Sequence, residues 1–385
     1  MREAVPRLTI SPSVGVEGAY DITPGAVIGV VEFVDLSIQI RPKLAIDRLL
    51  FLVSYAFDPK HWRDTPSELD ERDSLVEALI PGFVFHVRRA LRRGVIQGYS
   101  QREEALAGVK GRIRFDEQLR GRFGIAPPIE VTYDDFTEDI LANRLLKAAA
   151  IRLSKLNLRH RAHRNDLRHL LRGLAGVTAV EVSPRNVPEV IYSRLNEHYR
   201  PAVELARLIL RSTSFEHGRG GAAARSFLID MNVVFEDFVI VALREALGLR
   251  QSEFPQGAKG RRLRLDSGQA VRLKPDLSWW VEGEPVFVGD VKYKKLEVDE
   301  FKHADLYQLL AYTIATGLDD GLLIYAAGES EPGTVVVPMA GKRLRIATLE
   351  LHGSPAEILR EVGAIGDMIT ALRDDVAPRL RESAS

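Results

Sequence analysis

The residues with the greatest chemical capacity lie close together in the last third of the chain. The stretch LKPDLSWWVEGEPVFVGDVKYKK, from Leu273 to Lys295, sets Asp276, Asp290 and Lys292 into two runs that otherwise have the character of apolar strands. Side chains alternate along a strand, so Asp290 and Lys292 point to one side while Val291 points into the core. With VEGEP as the turn, Asp276 on the preceding strand comes alongside them. Two facing carboxylates repel unless a cation lies between them, and Mg²⁺ takes oxygen ligands of this kind while keeping several waters. A neighbouring ammonium can orient or help deprotonate the attacking water and stabilise charge on a phosphate under attack. That is the chemistry of phosphodiester hydrolysis. Asp-x-Lys also arises by chance and as a surface ion pair of little worth, so the triplet gains its weight from its company. Pro275 precedes Asp276, and Glu236 lies upstream on the helical stretch MNVVFEDFV, where it can supply a third carboxylate. Gln308 and Tyr312 stand one helical turn apart in YQLLAY and so share a face. Singly, Glu236 reads as a solvated helix residue and the Gln308/Tyr312 pair as helix surface; their joint order is the unusual feature.

The elements that must position these residues follow from periodicity. FLIDMNVVFEDFVIVALREALG predicts an amphipathic helix ending at Gly248, and after a basic loop come the hairpin and the helix FKHADLYQLLAYTIATG. The continuous apolar run GLLIYAA suits a strand buried on both faces, followed by strands around GTVVVP and LRIATLEL and a helix from about Pro355 to Leu372. Nearer the N-terminus, DLSIQIRP alternates as a strand closed by Pro42, and LAIDRLLFLVSYAFD has helical spacing. YDDFTEDILANRLLKAAAIRLSKLNL predicts a long helix with Thr137 as N-cap and Glu138 and Asp139 in its first turn, and RPAVELARLIL a second. The Gly-rich HGRGGAAA, His217 to Ala224, reads as a linker. The fold class is therefore α/β (α+β): a β-rich N-terminal domain over residues 1–130, a helical connecting region over 131–216, and residues 217–385 as a mixed sheet flanked by helices.

Composition sets the outer limits. A chain of 385 residues with 45% apolar content can bury a large core. With no cysteine, neither a disulfide framework nor a thiolate zinc site is available. MREAVPRLTI lacks the apolar core of a signal peptide, no run approaches a membrane helix, and the expected location is cytoplasmic. Lys plus Arg and Asp plus Glu both number 53, so any attraction to nucleic acid must come from local clustering. Two clusters exist: the Arg-rich segment from Arg88 to Arg122, and RLSKLNLRHRAHRNDLRHLLR from Arg152 to Arg172. Solvated helix faces explain such runs equally well.

A helix with Glu236, then Pro275-Asp276, then Asp290-x-Lys292, then Gln308-x-x-x-Tyr312, resembles the PD-(D/E)xK nuclease superfamily in its branch with a RecB-like glutamine and tyrosine signature. More closely, the ordered set IQIRPKLAIDRLLFLVSYA, VKGRIRF, YDDFTEDILANRLLKAA, FLIDMNVVFEDFV, KPDLSWW and GDVKYKK resembles the McrC family, the nuclease subunits of McrBC modification-dependent (type IV) restriction systems. The resemblance implies a PD-(D/E)xK nuclease fold in the C-terminal region and a Mg²⁺-dependent DNA endonuclease acting on modified double-stranded DNA. It also implies a McrB-like AAA+ GTPase hexamer as partner, into which the N-terminal region docks and which it stimulates; a homodimer in the active assembly is expected on a different ground, because cutting both strands calls for two active sites. GTP would be used by the partner; this chain has no Gly-x-x-x-x-Gly-Lys-Ser/Thr loop, and AGKRLRI near Lys342 is only a fragment of one. Carried over by position, Asp276, Asp290 and Glu236 would be metal ligands and Lys292 the catalytic lysine. Gln308 and Tyr312 would position DNA or the metal site, and Lys294 and Lys295, extending the strand, would contact phosphates. The basic segment from Arg159 to Arg172 has no family role to receive. A free-standing RecB-like repair nuclease and a non-catalytic adaptor that activates an AAA+ motor are the rival readings.

Overall fold

The structure, a computed structural model of the 385-residue chain, describes all residues except 1–8, 14–18, 33–35, 43, 65–74, 122–126, 218–222, 256–262, 294–302, 327–331 and 384–385. Among the described residues no helix is long and apolar enough to cross a membrane. The chain forms two compact units, Met1–Leu75 with Phe215–Ser385, and Val76–Ser214. The division at Ser214 lies beside the boundary expected near residue 216, whereas the other falls at residue 75 rather than near 130, because the N-terminal strands find their partner far along the chain.

In the first unit, β1 (Thr9–Pro12) pairs with β2 (Tyr20–Thr23), and β3 (Val27–Glu32) with β4 (Ser37–Ile40), both antiparallel. The helix α1 (Ile46–Phe57) follows, with Leu49 to Val53 and Tyr55 buried.

The second unit begins one residue into α2 (Leu75–Ala90) and continues with β5 (Gly98–Leu106), β6 (Arg112–Ile113), α3 (Phe115–Gly121) and β7 (Ile129–Thr137). The central strand β7 is flanked antiparallel by β5 and β6. Next come α4 (Leu141–Ser154), α5 (Arg161–Gly173) and α6 (Arg200–Ser212). The YDDFT run expected to open a helix is the end of β7, paired with Gly98 to Arg102, and α4 starts only at Leu141. Cross-strand pairing overrides the local helix signal there. Thr137 still accepts the Asp139 N–H at 3.1 Å, but in the turn that closes the strand. Asp139 grips the Arg144 guanidinium through two 2.8 Å hydrogen bonds and so fixes the first turn of α4.

The chain continues through β8 (Thr213–His217) and β9 (Ala223–Asp230), giving a sheet of order β4-β3-β9-β8. The FLID run expected in a helix is the end of β9, where Phe227 to Asp230 pair with Val30 to Val27. Helix α7 (Met231–Ala246) starts just after, capped by Asp230, whose carboxylate accepts the Asn232 N–H at 3.0 Å. His217, Ala223 and Ala224 of the expected linker lie in β8 and β9; the remainder falls outside the described residues.

After the short antiparallel pair β10 (Leu263–Arg264) and β11 (Arg272–Leu273), the last elements are β12 (Leu277–Val281), β13 (Glu284–Lys292), α8 (His303–Thr316), β14 (Asp320–Ala326), β15 (Gly333–Val337), β16 (Lys342–Leu349) and α9 (Pro355–Ser383). They build the expected mixed sheet, in the order β12-β13-β14-β16-β15, with the three central strands parallel and both edges antiparallel. Helix α8 packs Leu309 and Tyr312 onto Val288, Leu323, Tyr325, Leu344 and Ile346 of the sheet. Each such apolar side chain contributes roughly 1.5–3 kcal/mol on burial. Helix α1 packs on α7 through Phe51 and Tyr55, whose rings lie 5.4 and 5.6 Å from that of Phe238, and α9 is tied to β12 by Arg373 lying 4.7 Å over the Trp279 ring.

Candidate active site

The site is made at the hairpin. Glu282 and Gly283 connect β12 to β13 with φ of 51° and 98°, the left-handed pair required by a two-residue turn matched to strand twist. The resulting register sets Leu277 opposite Gly289 and therefore carries Asp276, one step before β12, to Asp290. The backbone clips the two together: the Asp276 N–H donates to Asp290 Oδ1 at 3.4 Å, and the Val291 N–H donates to Asp276 Oδ2 at 3.1 Å. Gly289 is the residue that lets β13 lie against β14 here, since a Cβ would stand 2.7 Å from the Leu322 carbonyl oxygen. Asp290 shares its side of the sheet with Val288 and Lys292, under α8, and is 0% exposed; Val291 on the opposite side is 6% exposed. Both faces of the strand are thus covered, where alternation alone assigned only Val291 to the core.

Lys292 makes an ion pair with Asp290, and α7 brings Glu236 into the same electrostatic group. Burial, with repulsion from Asp276, pushes the Asp290 carboxyl up to about 7 against the pull of Lys292. Burial first, then Asp237 and Asp290, pushes Glu236 up to about 7 as well. Asp276 is raised by burial and by Glu236. Burial by itself lowers the Lys292 ammonium, but Asp290, Asp276 and Asp305 outweigh it and hold it above its ordinary value. Three carboxyls from α7, the approach to β12, and β13 therefore titrate as one set, with the Lys292 ammonium held protonated beside them.

Gln308 and Tyr312 act together, as their spacing on α8 requires. Gln308 Nε2 donates to the Tyr312 hydroxyl at 2.6 Å, and that hydroxyl donates at 3.0 Å to the carbonyl of Lys274, two residues before Asp276. Tyr312 is 2% exposed, and its hydroxyl is raised by burial and by the charges of Asp290 and Asp276. The pair thus braces the segment that carries Asp276. Lys294 and Lys295 lie outside the described residues.

Two residues that the sequence did not single out belong to this neighbourhood. Tyr325 on β14 stands in register with Lys292 and donates to Asp305 Oδ2 at 3.0 Å. Asp305, buried in the first turn of α8, is among the charges that support Lys292. A signal was available: Asp305 precedes Gln308 by three residues and Tyr312 by seven, on one helix face.

Among the described residues there is no group of three or more His, Cys, Asp or Glu side chains that could hold a metal ion. Asp276 and Asp290 nonetheless supply two adjacent oxygen donors in a buried setting that disfavours their charge. A hard divalent cation such as Mg²⁺ suits that donor set, with Glu236 near enough to share charge with both.

The sequence matches the family described as McrBC 5-methylcytosine restriction system component over residues 22–326. This chain belongs to that family. The matched span includes Glu236, Asp276, Asp290, Lys292, Gln308 and Tyr312. Among curated relatives, the type IV methyl-directed restriction enzyme EcoKMcrBC of Escherichia coli (strain K12) is 22% identical over 308 residues, covering 74% of this chain and 86% of the relative. Among solved structures, a chain from the half-complex of the tetradecameric assembly of Thermococcus gammatolerans McrB AAA+ hexamers with bound McrC aligns with a TM-score of 0.50 at 18% identity, covering 92% of this chain and 84% of the other. The cryo-EM structure of the Thermococcus gammatolerans McrBC complex aligns with a TM-score of 0.36 at 21% identity, over 59% of this chain and 68% of the other. The McrBC family thus has, in this member, a mixed α+β sheet with an acidic cluster and a lysine at its hairpin.

Proposed function

We propose that this McrBC-family chain is the Mg²⁺-dependent DNA endonuclease subunit of a restriction complex driven by a partner AAA+ GTPase. The observation that carries the reading is the convergence of Asp276, Asp290 and Lys292, with Glu236, into one group of mutually interacting charges around the buried Asp290. Strongly perturbed carboxyls with charged partners cluster at sites of chemistry. Mg²⁺, held by Asp276 and Asp290 with Glu236 as a third or water-mediated ligand, would supply charge stabilisation at the scissile phosphate. Lys292, kept protonated by the carboxylates around it, orients the attacking water and neutralises charge developing on the phosphate. Gln308 and Tyr312 hold the Asp276 segment in place, and Asp305 with Tyr325 supports Lys292 from the neighbouring strand. Lys294 and Lys295 are assigned to phosphate contacts that add affinity without sequence information.

The names of the relatives support the rest of the reading: a methyl-directed enzyme in one case and McrC bound to McrB AAA+ hexamers in the other. By that likeness the partner is a McrB-like AAA+ GTPase hexamer and the substrate modified double-stranded DNA; a cytoplasmic location is the setting we propose. A homodimer in the active assembly gives the two sites that cutting both strands calls for.

The test is cleavage of methylated duplex DNA by the complex reconstituted with its GTPase partner. Asp290→Asn and Lys292→Met are expected to lose cleavage by about a hundredfold or more while still stimulating GTP hydrolysis. An Asp290→Asn protein that cuts at the wild-type rate overturns the site. Robust cutting by the isolated chain points to a free-standing nuclease instead, and GTPase stimulation without any cleavage or Mg²⁺ binding points to an adaptor.

A further inference from the structure

The basic segment that no part of this chemistry uses folds into a directional surface. Helix α5 carries Arg161, Arg164, Arg168 and Arg172, all exposed, while Leu167 and Leu170 are buried beneath. At about 100° per residue the four arginines fall within an arc of roughly 80°, centred about 130° from the centre of the arc of the buried leucines. Along the axis they span roughly 17 Å, at about 1.5 Å per residue. Asp166 is the one acidic residue of α5; it lies off the stripe and is already matched by Arg88 of α2 at 2.6 Å. The four arginines themselves make no ion pair with a carboxylate among the described residues. Their polar contacts are to groups other than carboxylates: Arg164 to the Leu158 carbonyl, Arg168 to Asn165 Oδ1 at 3.3 Å, and Arg172 to the His169 ring at 3.5 Å.

The helix is also held rigidly. The Glu77 carboxylate of α2 accepts the N–H groups of Arg159 and His160 at 2.6 and 2.9 Å, which fixes the turn entering α5. Lys147 of α4 donates to the carbonyls of Leu174 and Val177 at 3.0 and 2.6 Å, which fixes the exit. A chain with no net charge keeps four unneutralised guanidinium groups in one row on an anchored helix.

We infer that the exposed arginine face of α5 binds the phosphate backbone of double-stranded DNA. A row of cations about 17 Å long faces several phosphates of a duplex that carries one negative charge per about 1.7 Å of its axis. Guanidinium groups suit phosphate oxygens by geometry as well as charge. Such contacts read no bases; they keep the duplex on the protein irrespective of sequence, as a translocated substrate requires. The inference rests on the reading of the chain as DNA-acting, but binding at α5 needs none of the residues of the acidic cluster.

The experiment measures binding of a fluorescent 30-base-pair duplex to the full chain by anisotropy across a NaCl series, in EDTA so that hydrolysis does not intervene. Changing Arg161, Arg164, Arg168 and Arg172 together to Gln is expected to weaken binding at least tenfold at 150 mM NaCl, for any duplex sequence, and to reduce the slope of log affinity against log salt by roughly 3 to 4. The same four changes to Lys are expected to keep most of the affinity and slope, and Arg168→Gln alone to lower the slope by about 1. Binding is read in EDTA, without cleavage, which separates this surface from the cleavage site. Unchanged affinity and slope in the fourfold Gln protein overturn the inference. So does a fourfold Gln protein that keeps DNA affinity but no longer stimulates the partner GTPase, since the face would then dock an acidic protein surface.

Discussion

Asp290 and Glu236 both titrate near neutrality because burial and mutual repulsion disfavour their charged forms. A carboxyl raised in the folded state keeps its proton at a pH where the unfolded chain has lost it. The native protein therefore binds more protons between about pH 4.5 and 7, and its stability falls as pH rises through that window. Without divalent ions the melting temperature is expected to decline from pH 5 to pH 8, and added Mg²⁺ to restore it at pH 8 far more than at pH 5. Asp290→Asn should flatten both effects; a Mg²⁺ response at pH 8 that is equal in wild type and Asp290→Asn would remove Asp290 from the metal site. The sequence exposed much of this site because Asp276, Asp290, Lys292, Glu236, Gln308 and Tyr312 announce themselves by type and spacing. Asp305 and Tyr325 did not, since their link to Lys292 depends on the register of β13 with β14 and on where α8 settles. Neither is written in any local window.

At the scale of elements, the approach of β13 to β14 governs where Asp290 sits. Replacing Gly289 by Ala sets a methyl group 2.7 Å from the Leu322 carbonyl oxygen, so the parallel pair must separate. The expected cost is about 1–3 kcal/mol in urea unfolding, together with loss of cleavage, because Asp290 follows directly in the chain. Wild-type stability and activity in Gly289→Ala would mean that strand spacing does not control the site. Elements with strong internal rhythm, such as α1, α8 and β14, were legible in advance. YDDFT and FLID were not, because each resembles a helix start until its partner strand is known: β5 for the first and β3 for the second. Helical spacing in the flanking apolar residues was a true signal extended a few residues too far.

At the scale of the molecule, residues 1–75 belong with the region that carries the acidic cluster, although they are distant in sequence. β3 pairs along its length with β9, and α1 packs aromatic rings on α7, the helix that supplies Glu236. A fragment of residues 217–385 is therefore expected to lack a cooperative thermal transition, whereas the whole chain shows one for this unit; calorimetry distinguishes the cases. A fragment that melts sharply at the full-length temperature would show that the N-terminal strands are accessory.

The β3–β9 pairing has a consequence during synthesis. Ile28 meets Ile229 only after about 200 further residues have been made, which at roughly 5–20 residues per second is on the order of 10–40 s of translation. Throughout that interval Val27, Ile28 and Val31, buried once the sheet closes, stay without the strand that covers them. Nascent chains thus carry a sticky, half-built edge for most of their time on the ribosome, and the yield of working protein depends on what shields that edge until the missing strand emerges.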